Sequence, residues 1–391
     1  MSTVTFDVVR ASTKYVVDEN GDLSQVAANT PAFEYNSNGT YKGMLVEDQR
    51  ENGIRNSEGG GSTNGVIGSG GALPTNWVAF SLNGLVAEVI GTGTEKGVEY
   101  VDLKFSGTAT ATSSAFIRFE SLTQITASQN EVWSGSVYMK YTDQTANPDL
   151  VRLGILQYDS TPTFLKSDVQ SVTPTTTLTR FKQEDVTIDN ASVASITSAV
   201  LFGITNAQAY DFTIRFGLPQ LEEGEHASSV IKTSGTSVTR NKDDISKLSA
   251  STYIGQTAGT VYVEATIDNI ISGNNIITVS DGSDDNIVRI TFNAIADMRM
   301  YVKAGGASII NDVETIGAGT YKFAIVYSAS DTRVYRNGVQ LSSSTTSLTF
   351  TSSVDEIDIG QLFNGADQVN NWIRAFAFYK RALTDTEAIA L

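Results

Sequence analysis

Short runs of alternating apolar and polar residues, each of strand length and bounded by Gly, Asn, Asp or Ser, recur along almost the whole chain. Alternation with a period of two marks a half-buried strand. Many such runs at regular spacing require sheets that stack face to face, because each sheet must cover its apolar side. In the middle of the chain the candidate strands are 77–82, 86–92, 99–106, 115–121, 132–141, 151–158, 178–186, 199–204 and 212–218. Later, GTVYVEATID, NIVRITF, MRMYVKA, TYKFAIVYS, TRVYRNGVQL and VDEIDIGQ succeed one another with polar turns between them. The expected fold is therefore all-β, as tandem antiparallel β-sandwiches.

A chain of 391 residues exceeds one ordinary core and points to two or three domains. The net charge of −16 repels nucleic-acid phosphate and anionic membranes, and no basic stripe offsets it. Nucleic acid is not an expected partner, and no apolar run reaches membrane-spanning length. The absence of cysteine excludes disulfide scaffolds, thiol catalysis and Cys-ligated zinc. The single histidine, His226, excludes His-rich metal sites and reads as a surface residue. MSTVTFDVVRAS lacks the apolar core of a signal peptide, so synthesis in a cytoplasm is expected.

Five segments are expected. Residues 1–57 form a strand-rich leader with turns at Asp18–Gly21 and Ser37–Gly39, and 58–71 a Gly/Ser-rich loop or linker. Residues 72–231 form a first sandwich, 232–250 a connector and 251–391 a second sandwich. Pro219 lacks the N–H of a central ladder, so the strand before it is expected to stop there. The Glu222-Glu223 pair then reads as a solvated turn. Asn337-Gly338 fits a tight hairpin because both residues tolerate positive φ. LTDTEAIAL reads as a short terminal helix capped by Thr384 or Asp385.

Several phrases resemble phage virion proteins. They are Gln220, Leu221, Glu222, Gly224, Ala227, Ser228, Ser229, Ile231, Thr233, Gly235, Thr236, Val238, Thr239 and Arg240 in the connector region. The leader adds Val17, Asp18, Gly21 and Leu23; then Pro31, Phe33, Glu34 and Tyr35; then Gly43, Met44, Leu45, Val46, Glu47, Gln49, Arg50 and Asn52. TNWVAF and SGSVYMKY resemble jelly-roll carbohydrate-binding modules. Val334, Tyr335, Asn337 and Gly338, followed by Ile373, Phe376, Tyr379, Arg381, Leu383, Thr384 and Glu387, resemble the ending of laminin-G or concanavalin A-like lectin domains. Asn371 stands where that family has Gly. The resemblance implies a jelly roll followed by a lectin-like sandwich, with the leader as a virion-attachment device.

Sugars stack their C–H faces on aromatic rings, so Tyr158, Phe164, Trp77 and Trp372 are the candidate glycan-binding residues. Trp133, inside an alternating run, reads as core. Asp281, Asp284 and Asp285 in SDGSDDN are the candidate metal ligands, and calcium is the one cofactor they would suit. No acidic pair sits in a motif tied to hydrolysis, and no nucleophile elbow is present.

The expected function is non-enzymatic. The chain would be a virion structural protein at the particle surface, binding host surface polysaccharide as a tail-fibre adhesin. A head-decoration protein without sugar binding and a polysaccharide depolymerase are the alternatives. The expected partners are other virion proteins, through the leader, and a homo-oligomer, with a trimer suited to symmetric virion sites.

Overall fold

The computed structural model describes residues 5–294 and 296–391. Its elements are almost all antiparallel strands, so the all-β expectation holds. Two compact units divide the chain, Arg50–Arg240 and, around it in sequence, the residues up to Gln49 with Asn241–Leu391.

Arg50–Arg240 is a sandwich of two sheets. One sheet runs in the order Thr179–Thr187, Val132–Ala146, Ala209–Glu223, Val98–Thr108, Leu85–Glu95, Gly65–Val66. It is called the Arg215 sheet below. The other, the Phe116 sheet, runs Phe164–Val172, Leu150–Tyr158, Ser195–Ile204, Ser113–Arg118, Val78–Phe80. Every second residue of each central strand enters one shared core, which holds Leu103, Phe105, Phe212 and Phe216 from the first sheet and Ile117, Leu153, Ile155 and Phe202 from the second. Phe105 stacks on Phe212 at 5.1 Å, and Trp77 meets Phe119 edge-on at 4.9 Å. Trp133 belongs to the same core.

Two local expectations are corrected here. The strand does not end at Pro219 but continues to Glu223. The ladder to Val132–Ala146 skips a residue there, pairing Tyr138 with Gly217 and Ser136 with Gln220, so the missing N–H falls in a bulge. Glu222 is consequently not solvated; it is fully buried. Its carboxylate accepts from the Ser228 N–H (2.8 Å), the Ser228 hydroxyl (2.6 Å) and the Gln220 amide (2.7 Å). Burial still pushes its pKa up.

The segment after Arg50 is laced to the one after Pro219. The Asn52 amide donates to the Pro219 and Ile231 carbonyls, and its oxygen accepts from the Ile54 and Leu221 N–H groups. Residues 58–71 are an ordered loop of this sandwich. Gly65–Val66 pairs with the strand Leu85–Glu95. A Cβ at Gly59 would lie 2.8 Å from the Val101 side chain, so only Gly lets the loop pass this close.

The other unit holds two seven-stranded sheets. One runs Asp7–Val9, Asp244–Lys247, Glu356–Ile359, Asn275–Ser280, Ile287–Ala294, Asp297–Ala304, Ala307–Thr315. The other runs Val339–Ser344, Asp331–Arg336, Gly319–Ser328, Gly259–Ile267, Asn371–Tyr379, Tyr41–Val46, Phe33–Tyr35. Val263, Ile277, Ile290, Met300, Phe323 and Ile357 are among the residues of the core they share. Asn337 and Gly338 both take positive φ, as the hairpin requires. Thr384 is the N-cap of the helix Asp385–Ile389, in a reciprocal capping box with Glu387.

The leader therefore does not stand apart as 1–57. Asp7–Val9 pairs with Asp244–Lys247, and Tyr41–Val46 pairs with Asn371–Tyr379, so the segment completes its own chain's fold. A Cβ on Gly43, which has φ +140°, would lie 2.7 Å from the Trp372 Cβ; the glycine admits this pairing. A buried ionic cluster fixes the segment. The Asp243 carboxylate accepts from Arg10 (2.6 Å), from Lys14 (2.6 Å) and from the Glu47 N–H (3.0 Å). Lys14 also pairs with Glu47 at 2.8 Å, and all four side chains are almost wholly buried.

Asp243→Asn would leave two buried cations without their shared anion. We expect a loss of about 3–5 kcal/mol in this unit. Urea unfolding followed through Trp372, which lies in this unit, checks it; a loss below about 1 kcal/mol would show that the cluster is not holding the segment.

Candidate functional site

In the strand Ser113–Arg118, sequence SSAFIR, alternation sends Ala115 and Ile117 into the core and leaves Phe116 and Arg118 on the outer face. The ladders then set the rows of that face. Phe116 lies between Phe80 and Leu201, and Leu201 lies opposite Arg152. In the next row Arg118 lies between Val78 and Ala199, and Ala199 lies opposite Gly154. At the far end Tyr158 is paired with Phe164. Leu156, Tyr158, Ala199 and Leu201 form a second, shallow apolar cluster with Phe80, Phe116 and Leu122 packed on it.

Aromatic rings and guanidinium groups stand on this face beside the exposed Val169 and Ser171. Phe80 and Phe116 stack at 4.5 Å with their planes 20° apart. The Arg118 guanidinium sits over Phe80 at 5.4 Å and donates from Nε to the Glu120 carbonyl at 2.9 Å. Burial raises the Tyr158 hydroxyl pKa, and the Arg118 guanidinium beside it partly offsets the rise. Phe164 meets Tyr158 edge-on at 5.9 Å and is itself 55% exposed. Flat apolar rings flanked by rigid planar donors can stack the C–H face of a sugar and bond its oxygens.

The Arg215 sheet has an outer face of different character. Arg215 forks onto Asp102 with two 2.8 Å bonds, pairs with Glu95 and lies 3.2 Å from the Tyr100 ring centre. Lys140 takes the other side of Glu95. Arg180, on the same face, bonds the Ser136 hydroxyl and the Ser228 carbonyl.

The four predicted glycan-binding residues are separated by the structure. Tyr158 and Phe164 come together on the Phe116 sheet; Phe164 offers its ring, whereas Tyr158 is mostly buried beneath it. Trp77 is corrected to a core residue: it is 5% exposed, and its indole N–H donates to the Asn56 carbonyl. Trp372 is also enclosed. Its N–H donates to Glu34 at 2.6 Å, and the Lys42 ammonium covers the ring at 3.2 Å. Phe116 and Arg118 were missed because AFIRF is apolar at nearly every position and conceals which residues face out, and Phe80 because WVAF is apolar throughout.

The three predicted metal ligands do not converge. Asp281 is occupied by Ser283 and Asn286, and Asp284 by Lys303 with Arg289 at 3.9 Å. Among the described residues no group of three or more acidic or histidine side chains is placed to hold a metal. Asp281 is held below its usual pKa: burial opposes the shift, and bonds from Ser283 and Asn286 outweigh it. His226 is half-buried, and burial lowers its pKa.

One carboxyl group is strongly perturbed. Asp358, on the strand Glu356–Ile359, is pushed up to about 7, first by burial and then by Glu356 and Asp244. A raised carboxyl beside others is the pattern of an acid catalyst. Asp358 is only 1% exposed, however, which leaves no surface for a substrate.

Sequence comparison adds one family. Residues 235–388 match the model of the concanavalin A-like lectin/glucanases superfamily. No curated protein matches the chain. Among solved structures, domain 4 of AbnA, an extracellular arabinanase from Geobacillus stearothermophilus, in complex with arabinotriose, is 13% identical. That match covers 38% of this chain and 72% of that one, with a TM-score of 0.32. The Ruminococcus gnavus IT-sialidase CBM40, bound to α2,3-sialyllactose, is 14% identical over 35% of this chain and 82% of its own, with a TM-score of 0.30. The tandem CBM22 domains of Paenibacillus barcinonensis Xyn10C are 13% identical over 85% and 99%, with a TM-score of 0.28. Scores this low carry no argument about function.

Asp358 also sets a pH dependence. Its folded pKa lies above the ordinary value of 3.8, so the folded state holds the proton more tightly. Its contribution is fully present below about pH 4 and is lost as pH rises through about 7. Asp358→Asn should therefore match the wild type at pH 3 and exceed it at pH 8 by on the order of 3–5 kcal/mol. Denaturant unfolding at the two pH values checks this; equal stability at pH 8 would refute it.

Proposed function

We propose that this protein is a non-enzymatic glycan-binding protein, displayed on a phage particle, whose sugar-binding surface is the outer face of the Phe116 sheet. The carrying observation is that face: the stacked pair Phe80–Phe116 and the guanidinium of Arg118 on two neighbouring strands, with the exposed ring of Phe164 on the strand at the other edge of the same sheet. Rigid strands hold these groups at fixed spacing, so binding would require little ordering. The lectin-superfamily match over residues 235–388 supports a carbohydrate-related role for the other unit. Attachment to other virion proteins and adhesion to host polysaccharide rest on the sequence phrases alone. Many displayed copies would turn modest affinity into firm adhesion.

Three of the buried carboxylates have structural partners. Glu222, Glu120 and Asp243 are buried and engaged by Ser228, Arg55, and Arg10 with Lys14, respectively. They serve as structural anchors. A depolymerase needs two carboxyl groups facing a bound sugar.

Affinity electrophoresis of the full chain in gels containing host surface polysaccharide tests the reading. Phe164→Ala, an exposed position, should retain the wild-type melting temperature and bind roughly threefold to tenfold more weakly. Unchanged retardation for Phe164→Ala and for Phe116→Ala would remove this face from consideration. Shortening of the polysaccharide during incubation would return the depolymerase reading.

A further inference from the structure

We infer that the Phe116 sheet selects acidic polysaccharides, through Arg118 and Arg152. This rests on the glycan-binding reading above and names the ligand class of that site. The two arginines stand on the same face. Arg118 lies opposite Ala199, whose other neighbour is Gly154, and Arg152 is two residues from Gly154 on the same strand. They are thus two strands and one side-chain pair apart, roughly 12 Å between Cα atoms by ladder spacing.

Among the described residues, neither arginine is in an ion pair. Several other cations of this sandwich are paired, whereas Arg180, also without an ion pair among the described residues, is satisfied by Ser136 and the Ser228 carbonyl. Arg55 is forked onto Glu120, Arg215 onto Asp102 and Glu95, and Lys140 pairs with Glu95. Arg152 has a buried Nε–H with no acceptor, so a ligand on this face would have to use its terminal Nη groups. Arg118 spends its Nε–H on the Glu120 carbonyl, and its guanidinium lies over the Phe80 ring.

The floor between the arginines is low and apolar. Ala199 and Gly154 have little or no side chain, and the Leu201 and Val169 side chains lie over Gly154. A saccharide chain lying along Phe80, Phe116 and this floor would bring anionic groups to the Arg152 guanidinium and to that of Arg118, which also bonds Tyr158. Arginine suits that task because its planar donors match a carboxylate or sulfate in a paired bond. The whole chain carries −16, so general electrostatics repels a polyanion. Binding of an acidic polymer would have to come from a local site.

The test uses the full chain and four soluble polymers: polygalacturonate, neutral galactan, dextran sulfate and neutral dextran. Isothermal titration is run in low and moderate salt. The expected result is that at least one acidic polymer binds more tightly than its neutral counterpart and weakens with salt. Which acidic polymer binds more tightly identifies carboxylate or sulfate as the recognised group. Arg152→Gln and Arg118→Gln should each weaken that binding roughly tenfold or more, and Arg152→Lys should recover part of it. Melting temperatures separate these effects from misfolding, and the lysine variant keeps the test decisive if a glutamine variant fails to fold. Equal or tighter binding of the neutral polymers, unaffected by the arginine variants, would overturn the inference and leave the glycan-binding reading standing. No binding of any polymer would overturn the inference, and the glycan-binding reading falls with it only if host surface polysaccharide also fails to retard the chain.

Discussion

The Asp243 carboxylate holds the non-contiguous unit together. It lies at the start of the returning chain and takes Arg10 and Lys14 from a segment more than two hundred residues earlier. Such a cluster contributes little net stability compared with apolar residues of the same shape, because three or four charges must leave water. Its value here is specificity. Arg10 also donates to the Ala27 and Thr30 carbonyls, and Lys14 to the Leu45 carbonyl. The ionic groups therefore fix the path of the whole N-terminal segment, including Tyr41–Val46, whose side chains Met44 and Val46 enter the main core.

Buried polar residues serve Arg50–Arg240 in a similar way. Asn52 binds both arms of the fold-back after Pro219, and Gln220 holds Ile231. Thr233 reaches the Ile54 carbonyl. These residues belong to the phrases by which the sequence resembled virion proteins. In this chain several of them are hydrogen-bonding fixtures of the fold-back that follows Pro219.

Period-two alternation made the strands legible, and local turn chemistry made Asn337-Gly338 and the Thr384 cap legible. Three things were not. The pairing of Tyr41–Val46 with Asn371–Tyr379 leaves no local trace, because register between distant strands is set by shape and not by a motif. The strand through Pro219 was cut short because a bulge can absorb a missing N–H. The outer face of the Phe116 sheet was hidden because a strand with apolar residues on both sides loses its alternation. Tyr158 and Phe164 were found through the loop between them, whereas Trp77 was chosen for ring size, which serves a core as well as a sugar.

The interrupted unit also fixes an order of assembly on the ribosome. Residues 50–240 can collapse on their own core as they emerge. The segment before them must wait through about 190 residues, on the order of 10–40 s of synthesis, before Asp243 appears, and longer for Asn371–Tyr379. During that interval Tyr41–Val46 is an unpaired apolar strand. Lys14 and Arg10, charged and still in water, keep the neighbouring chain soluble until their anion arrives. The residues that later sit deepest in the fold would thus act first as the nascent chain's protection against aggregation.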